Sequence, residues 1–215
     1  MKIAVLGTGM VGETIGSKLV ALGHDVMMGS RSASNEKALA WAKKAGAKAS
    51  VGTFADAARF AELGFNCTSG AGAVPAVSAG GADWNGKVII DISNPLDGSK
   101  GFPPSLSVCN TDSLGEQVQR AVPGAHVVKS LNTVNCNLMI DATSVHGGDH
   151  SMFMSGNDAS AKEKVRGILT GWFGWKDVID LGDITCARGT EMYLPLWLRL
   201  MGFVKGPSFN IKVVR

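Results

Sequence analysis

The stretch that decides the fold is Lys2-Ile3-Ala4-Val5-Leu6-Gly7-Thr8-Gly9-Met10-Val11-Gly12. A short apolar run ends in glycine, and apolar residues then recur at Val11, Ile15, Leu19 and Leu22, up to Gly23. The run has the length of a buried strand and the recurrence has the period of a helix, so the segment reads as strand, glycine turn and helix. Its glycines fit G-x-G-x-x-G. In that pattern Gly7 permits a tight turn, Gly9 lets the backbone approach a pyrophosphate, and Gly12 lets helix and strand pack closely. Amide groups at the helix N-terminus then hold the negative charge. In a chain with 28 glycines an ordinary strand-to-helix turn is the competing reading, but the motif sits inside a first βαβ unit closed by the apolar run 24–29, which favours a dinucleotide.

The same alternation continues downstream. Ser34 or Asn35 can cap a helix carrying Ala38, Leu39, Trp41 and Ala42 and ending at Gly46. Strands are expected at 47–51, 63–67, 88–92 and 126–131, with helices at 54–61, 73–79 and 113–122 between them. Alternating strands and helices predict an α/β fold with a doubly wound, mostly parallel sheet. The pattern changes after about residue 145. A strand at 151–155, a helix at 159–172, an apolar run at 178–181, a helix at 191–203 and a closing strand at 209–214 predict a small C-terminal α/β domain. The expected division is 1–145 for nucleotide binding and 146–215 for closing the cleft.

Composition narrows the function classes. With 45% hydrophobic and 18% charged residues the chain has a real core and is not disordered. The net charge of +3 is dispersed rather than gathered into Lys/Arg blocks, which argues against nucleic acid and anionic lipid. The longest uncharged stretch, 63–82, is crowded with Gly, Ser, Asn and Pro and does not read as a membrane span. Four scattered cysteines without a C-x-x-C pair and without a secretory leader fit reduced thiols in the cytoplasm.

The end of the second strand reads Gly29-Ser30-Arg31-Ser32, where NAD-selective sites usually place an acidic residue for the ribose 2′-hydroxyl. A guanidinium beside hydroxyls suits a 2′-phosphate instead, so NADP is the expected nucleotide.

Together with Asp91-Ile92-Ser93-Asn94-Pro95, Lys100-Gly101-Phe102, the segment Val127 to Thr133 and the terminal Phe209-Asn210-Ile211-Lys212, these motifs make the chain resemble the coenzyme F420-dependent NADP oxidoreductase family. The resemblance implies a Rossmann domain with a smaller C-terminal domain, and a cleft where NADP and a deazaflavin, or a flavin in its place, stack for direct hydride transfer. It places Thr8, Gly9, Met10 and Val11 on the pyrophosphate and Ser30 and Arg31 on the 2′-phosphate. Thr68, Ser69, Asn94, Pro95 and Cys136 fall on the nicotinamide half, and Ser208 beside the deazaflavin. Two departures stand out: Thr68-Ser69-Gly70 replaces a proline that commonly follows the fourth strand, and Asn35 stands where a basic residue is common, with Lys37 nearby.

Other constellations carry less. His146-Gly147-Gly148-Asp149-His150 reads as a loop rather than a metal site, because its glycines disfavour a helix that would align both rings. Cys136 lacks a partner for nucleophilic catalysis. No side chain stands out as a general acid or base, and hydride transfer between two bound cofactors requires none. Two other readings remain open at this level: an NADPH-sensing protein without turnover, and a small-substrate dehydrogenase or imine reductase. Monomer and homodimer are both compatible with the sequence.

Overall fold

The computed structural model describes all 215 residues. The first half alternates strictly: β1 (Lys2–Leu6), α1 (Met10–Ala21), β2 (Asp25–Ser30), α2 (Glu36–Ala45), β3 (Ala49–Thr53), α3 (Phe54–Phe60), β4 (Leu63–Asn66), α4 (Gly70–Ser78) and β5 (Val88–Asp91). A two-residue hairpin, β6 (Leu96–Asp97) and β7 (Ser105–Leu106), precedes α5 (Leu114–Ala121), β8 (His126–Ser130) and α6 (Cys136–Ile140). The chain ends with β9 (Ser151–Gly156), α7 (Ala159–Phe173), β10 (Asp177–Asp180), α8 (Ala187–Met192) and α9 (Leu194–Phe203).

Eight strands form one sheet in the order β10-β9-β8-β5-β4-β1-β2-β3, so the fold is the Rossmann-like α/β class. All neighbours are parallel except β8 and β9. Alternate residues of β1 feed opposite faces: Ile3 and Val5 join a core with Ile15, Leu19, Met28 and Trp41, whereas Ala4 and Leu6 join one with Ala57, Trp84 and Ile89. Burial on both faces explains why these strands read as unbroken apolar runs. The strand order reverses between β1 and β4, and in open α/β sheets the crevice beyond the carboxyl ends of the strands at such a point is where ligands bind.

Position 145 lies between two short 3-10 turns, 142–144 and 146–148, and the strands beyond it extend the same sheet through the antiparallel β8–β9 pairing.

Three details differ from the sequence reading. The helix expected at 191–203 is two helices meeting at Tyr193, because Pro195 lacks the N–H that a continuous ladder needs and is tolerated only in the first turn of α9. The segment 209–214 is not a strand. Its bonds to β9 all fall on one residue, Ser151: Ser151 N donates to Ile211 O (3.0 Å), Asn210 Nδ2 to Ser151 O (2.8 Å) and Val213 N to Ser151 Oγ (3.0 Å). Side chains thus replace all but one rung of a ladder. Helix α6, five residues capped by Asn135 Oδ1, is too short to leave a periodic signal. No helix is long and apolar enough to cross a membrane.

One ion pair joins the C-terminal helices to α5 in a way that pH can report. Arg188 donates through Nε and Nη2 to Glu116 (2.8 and 2.6 Å), and this bond, helped by Ser113, holds the Glu116 carboxyl below its ordinary value against the opposing effect of burial. A carboxyl depressed in the folded state stabilises above its unfolded pKa, about 4.3 for Glu, and loses that contribution as pH falls through the lowered value. The Arg188→Met variant is therefore expected to be less stable than the parent at neutral pH, with the gap closing below about pH 4. Urea unfolding at a series of pH values checks this; a gap that is constant with pH contradicts it.

Candidate functional site

At the end of β1 the chain makes its glycine turn. Gly7 has φ 110°, a backbone that L side chains rarely adopt, and its N–H donates to Gly29 O at 2.9 Å. A Cβ at Gly7 would lie 2.8 Å from Cys67 O, and one at Gly12 would lie 2.1 Å from Gly7 O. Gly9 is different. A Cβ there meets nothing within 4 Å, so hydrogen keeps open a space over the start of α1. Gly9 is the N-cap of this 12-residue helix and no side chain caps it, which leaves first-turn N–H groups for an anion.

Beside this turn a depression of about 460 Å³ is lined by Thr8, Gly9, Met10, Glu13, Met28, Lys37, Ala40, Trp41 and Lys44. Ser30 and Arg31 border the same end of the sheet without lining it. Ser30 is buried, its Oγ donating to Ser32 O (2.6 Å), while Arg31 is exposed and enters none of the ion pairs. Asn35 is spent on capping α2, accepting from Ala38 N at 3.1 Å. The basic groups facing the depression are Lys37 and Lys44, the latter 3.7 Å from Glu13.

On the other side of Met10 lies the main cleft, about 480 Å³. Met10, Val11, Thr68, Ser69, Asn94 and Cys136, all singled out in the sequence, line it together. Pro95 does not; its carbonyl accepts Ser107 N (2.8 Å), and its Cα lies against Gly70. Ser208 does not line it either. It is exposed, next to Pro207, which forms the rim and whose carbonyl accepts Asn135 Nδ2 at 2.6 Å. Sequence reasoning missed Asn132, Asn135, Leu194 and Trp197 as lining residues. Asn132 lay within a motif already noted, but Leu194 and Trp197 gave only the apolar signal of any amphipathic helix.

The cleft floor is fixed by a reciprocal amide pair. Asn94 Nδ2 donates to Asn132 O (2.8 Å) and Asn132 Nδ2 donates to Asn94 Oδ1 (3.0 Å). The pair follows Leu131, a fully buried leucine at φ 64°, whose left-handed backbone costs on the order of 1–3 kcal/mol and persists because its surroundings hold it.

Beneath the floor sits a buried charge cluster. Lys129 Nζ donates to Asp91 Oδ2 (2.9 Å), to Glu191 Oε1 (2.8 Å) and to Ser93 O. Burial works against its ammonium, but Asp91 and Glu191 outweigh burial, and the pKa is raised. Asp91 Oδ1 accepts Asn66 Nδ2 (2.9 Å) and Ser93 Oγ (2.7 Å), and Asn66 Oδ1 accepts Thr68 Oγ1 (2.7 Å). Glu191 accepts Leu114 N (2.8 Å) and Gly115 N (2.9 Å), the first amides of α5.

Among the lining residues only Cys67 and Cys136 can titrate. Burial, with Asp91 nearby, pushes the Cys67 thiol far up, so it stays neutral. No His, Lys, Tyr or carboxylate faces the cleft. Elsewhere, His150 bonds Ala142 O (2.9 Å) and Asn210 Nδ2 (3.0 Å), while Asp149 pairs with Lys212 (2.5 Å).

Comparison with known proteins identifies the family. Residues 2–95 match the family model described as NADP oxidoreductase, coenzyme F420-dependent. The chain is 28% identical, over 93% of its length and 92% of the relative's, to the F420-dependent NADP reductase of Methanothermobacter marburgensis. It is 50% identical over the whole of both chains, with a TM-score of 0.94, to a crystal structure from Arthrobacter sp. FB24 provisionally described as an F420-dependent NADP reductase. A reductive aminase from Aspergillus terreus, solved with NADPH, shares the fold at 18% identity and a TM-score of 0.66, over 95% of this chain and 62% of that one. The chain belongs to the coenzyme F420-dependent NADP oxidoreductase family and is an NADP-dependent oxidoreductase.

Proposed function

We propose that the protein passes a hydride between NADP(H) and a deazaflavin of the F420 type, or a flavin, held face to face in the main cleft. The observation that carries this reading is a cleft continuous with the glycine turn whose lining contains no titratable group except two thiols. NADPH supplies the hydride when bound. The protein's task is then to bind, orient and exclude water.

In this reading residues 1–145 hold the nucleotide and 146–215 close over its reactive end. The glycine-turn and first α1 amides from Thr8 to Val11 hold the pyrophosphate, with the open space at Gly9 admitting it. Ser30 and Arg31 hold the 2′-phosphate, and Lys37 and Lys44 add positive potential at the adjoining depression. Thr68, Ser69, Asn94 and Cys136 flank the nicotinamide, with Pro95 keeping Asn94 in place behind Gly70. Leu194, Trp197 and Pro207 give the acceptor a largely apolar wall, and Ser208 stands at its rim, exposed to the acceptor's polar portion. A sensing role without turnover would call for a sealed nicotinamide face, and the open apolar wall argues for an acceptor instead. We place the protein in the cytoplasm and infer a homodimer, for which exposed Leu196 and Phe203 on α9 offer apolar surface.

Anaerobic titration of the NADPH-loaded protein with deazaflavin, riboflavin, flavin mononucleotide and quinones tests the acceptor. NADPH oxidation is expected with deazaflavin or flavin; robust reduction of a carbonyl or imine without either, controlled by one titrating side chain, overturns the reading.

NADPH is expected to bind at least about tenfold tighter than NADH, which corresponds to about 1.4 kcal/mol and is within reach of one charge-assisted contact. Arg31→Asp should reverse the preference; equal affinities in the parent protein, measured by calorimetry, contradict the assignment.

Gly9→Val should abolish NADPH binding while leaving the circular dichroism spectrum intact, since the new side chain enters open space rather than the core. A folded variant with unchanged affinity would show the turn to be structural only.

A further inference from the structure

We propose that Lys129 is a positioning residue that sets the spacing between the two walls of the cleft. The inference rests on the two-cofactor reading above. One wall is carried by Thr68 and by Ser93 and Asn94; the other by Leu194 and Trp197 at the start of α9. The fully buried ammonium touches both supports at once. On one side it donates to Ser93 O and Asp91 Oδ2, and Asp91 in turn holds Ser93 Oγ and Asn66, which holds Thr68. On the other it donates to Glu191, which lies on α8 one residue before its end and is pinned across the α5 N-terminus by two backbone amides.

The chemistry of the group matters. An ammonium has three N–H donors and here three acceptors, so its hydrogen bonds are complete. Only a cation draws two buried carboxylates toward one point; without it Asp91 and Glu191 repel, and the segments they carry move apart. Hydride transfer depends on reacting atoms held roughly 3–3.5 Å apart, and a misplacement of about 1 Å can lower the rate about a hundredfold. Lys129 touches neither the glycine turn nor the depression beside it, so its effect falls on the rate of transfer rather than on nucleotide capture.

Glu191→Gln tests this with little change of volume. Lys129 Nζ and Gly115 N share Oε1 while Leu114 N donates to Oε2, so the new NH2 opposes an α5 amide in either orientation, and the charge attraction between that wall and the ammonium is lost in both. In the ligand-free variant, hydrogen–deuterium exchange is expected to accelerate about tenfold or more in peptides covering 92–96 and 191–197, and to stay unchanged in those covering 2–30. With deazaflavin as acceptor, kcat should fall about tenfold or more while the NADPH Kd and the acceptor KM stay within about twofold. Lys129→Met should act in the same direction more strongly; because it leaves two buried carboxylates opposed it can fail to fold, and Glu191→Gln then decides. Parental exchange together with parental kcat overturns the proposal. So does acceleration of exchange across the whole chain with kcat falling only in proportion to the folded fraction. If the parent protein reduces neither deazaflavin nor flavin, the two-cofactor reading fails, and the exchange measurement still decides whether Lys129 ties the walls together.

Discussion

A single ammonium in the interior, that of Lys129, links α8 to the end of β5 in the middle of the sheet. Removing a charge from water costs several kcal/mol per ion even after relaxation, and such a cluster survives only when every donor and lone pair is used. Lys129 meets that condition with Asp91, Glu191 and Ser93. Two carboxylates around one lysine would leave a net negative charge, but Glu191 spends its oxygens on the first amides of α5, where the helix dipole favours an anion. The positive end of one helix thus balances what the lysine alone does not. Residues 114, 129 and 191 lie far apart in the chain, and their meeting requires the antiparallel turn from β8 into β9 that brings the last 70 residues back across the sheet.

Above that cluster the site is made largely of backbone and amides. The glycine turn presents N–H groups from the start of α1, and the floor is locked by Asn94 and Asn132 bonding reciprocally. Such elements are stiff. The Asn94 carboxamide uses both its donor and its acceptor, against the backbone carbonyl and the side-chain NH2 of Asn132, which allows it one orientation, and Asn132 directly follows a leucine forced into left-handed backbone. Strain at that point is tolerated because the neighbouring hydrogen bonds over-determine the geometry.

The absence of proton-transfer groups in the lining is as informative as the presence of the glycine turn. Reactions that move a proton with the hydride need an acid or base within hydrogen-bond reach, whereas transfer between two ring systems needs distance and alignment. The cleft lining, with neutral Cys67, the amides and the apolar side chains Leu194 and Trp197, offers no group for the first, and in the proposed reading its walls would serve the second.

The local chemistry of the site was legible in the chain. Gly7, Gly9 and Gly12 follow a strand and open a helix, and the conformation demanded at Gly7 and the contact at Gly12 admit no larger residue, so the motif can be read without knowing what surrounds it. The central strands β1, β4 and β5 were equally plain because both faces are buried and each is apolar except at one end, whereas β3, half-buried along most of its length, left a weaker signal. What the sequence by itself could not determine is which distant residues share the cleft. Trp197 and Leu194 carry the same signal as core residues of any helix, and only the break at Tyr193, ahead of Pro195, and the return of the chain across β9 put them opposite Asn94. Ser208 and Pro95 show the converse: placed in the site by family-like spacing, they are held just outside its lining, one by exposure at the rim and one by backbone hydrogen bonds facing away. The role of Lys129 was hidden for the same reason. A lysine inside the run Val127 to Ser130 gives no local sign of burial, since its acceptors come from β5, the loop after it and α8, and tertiary packing alone decides that a charge can be satisfied there.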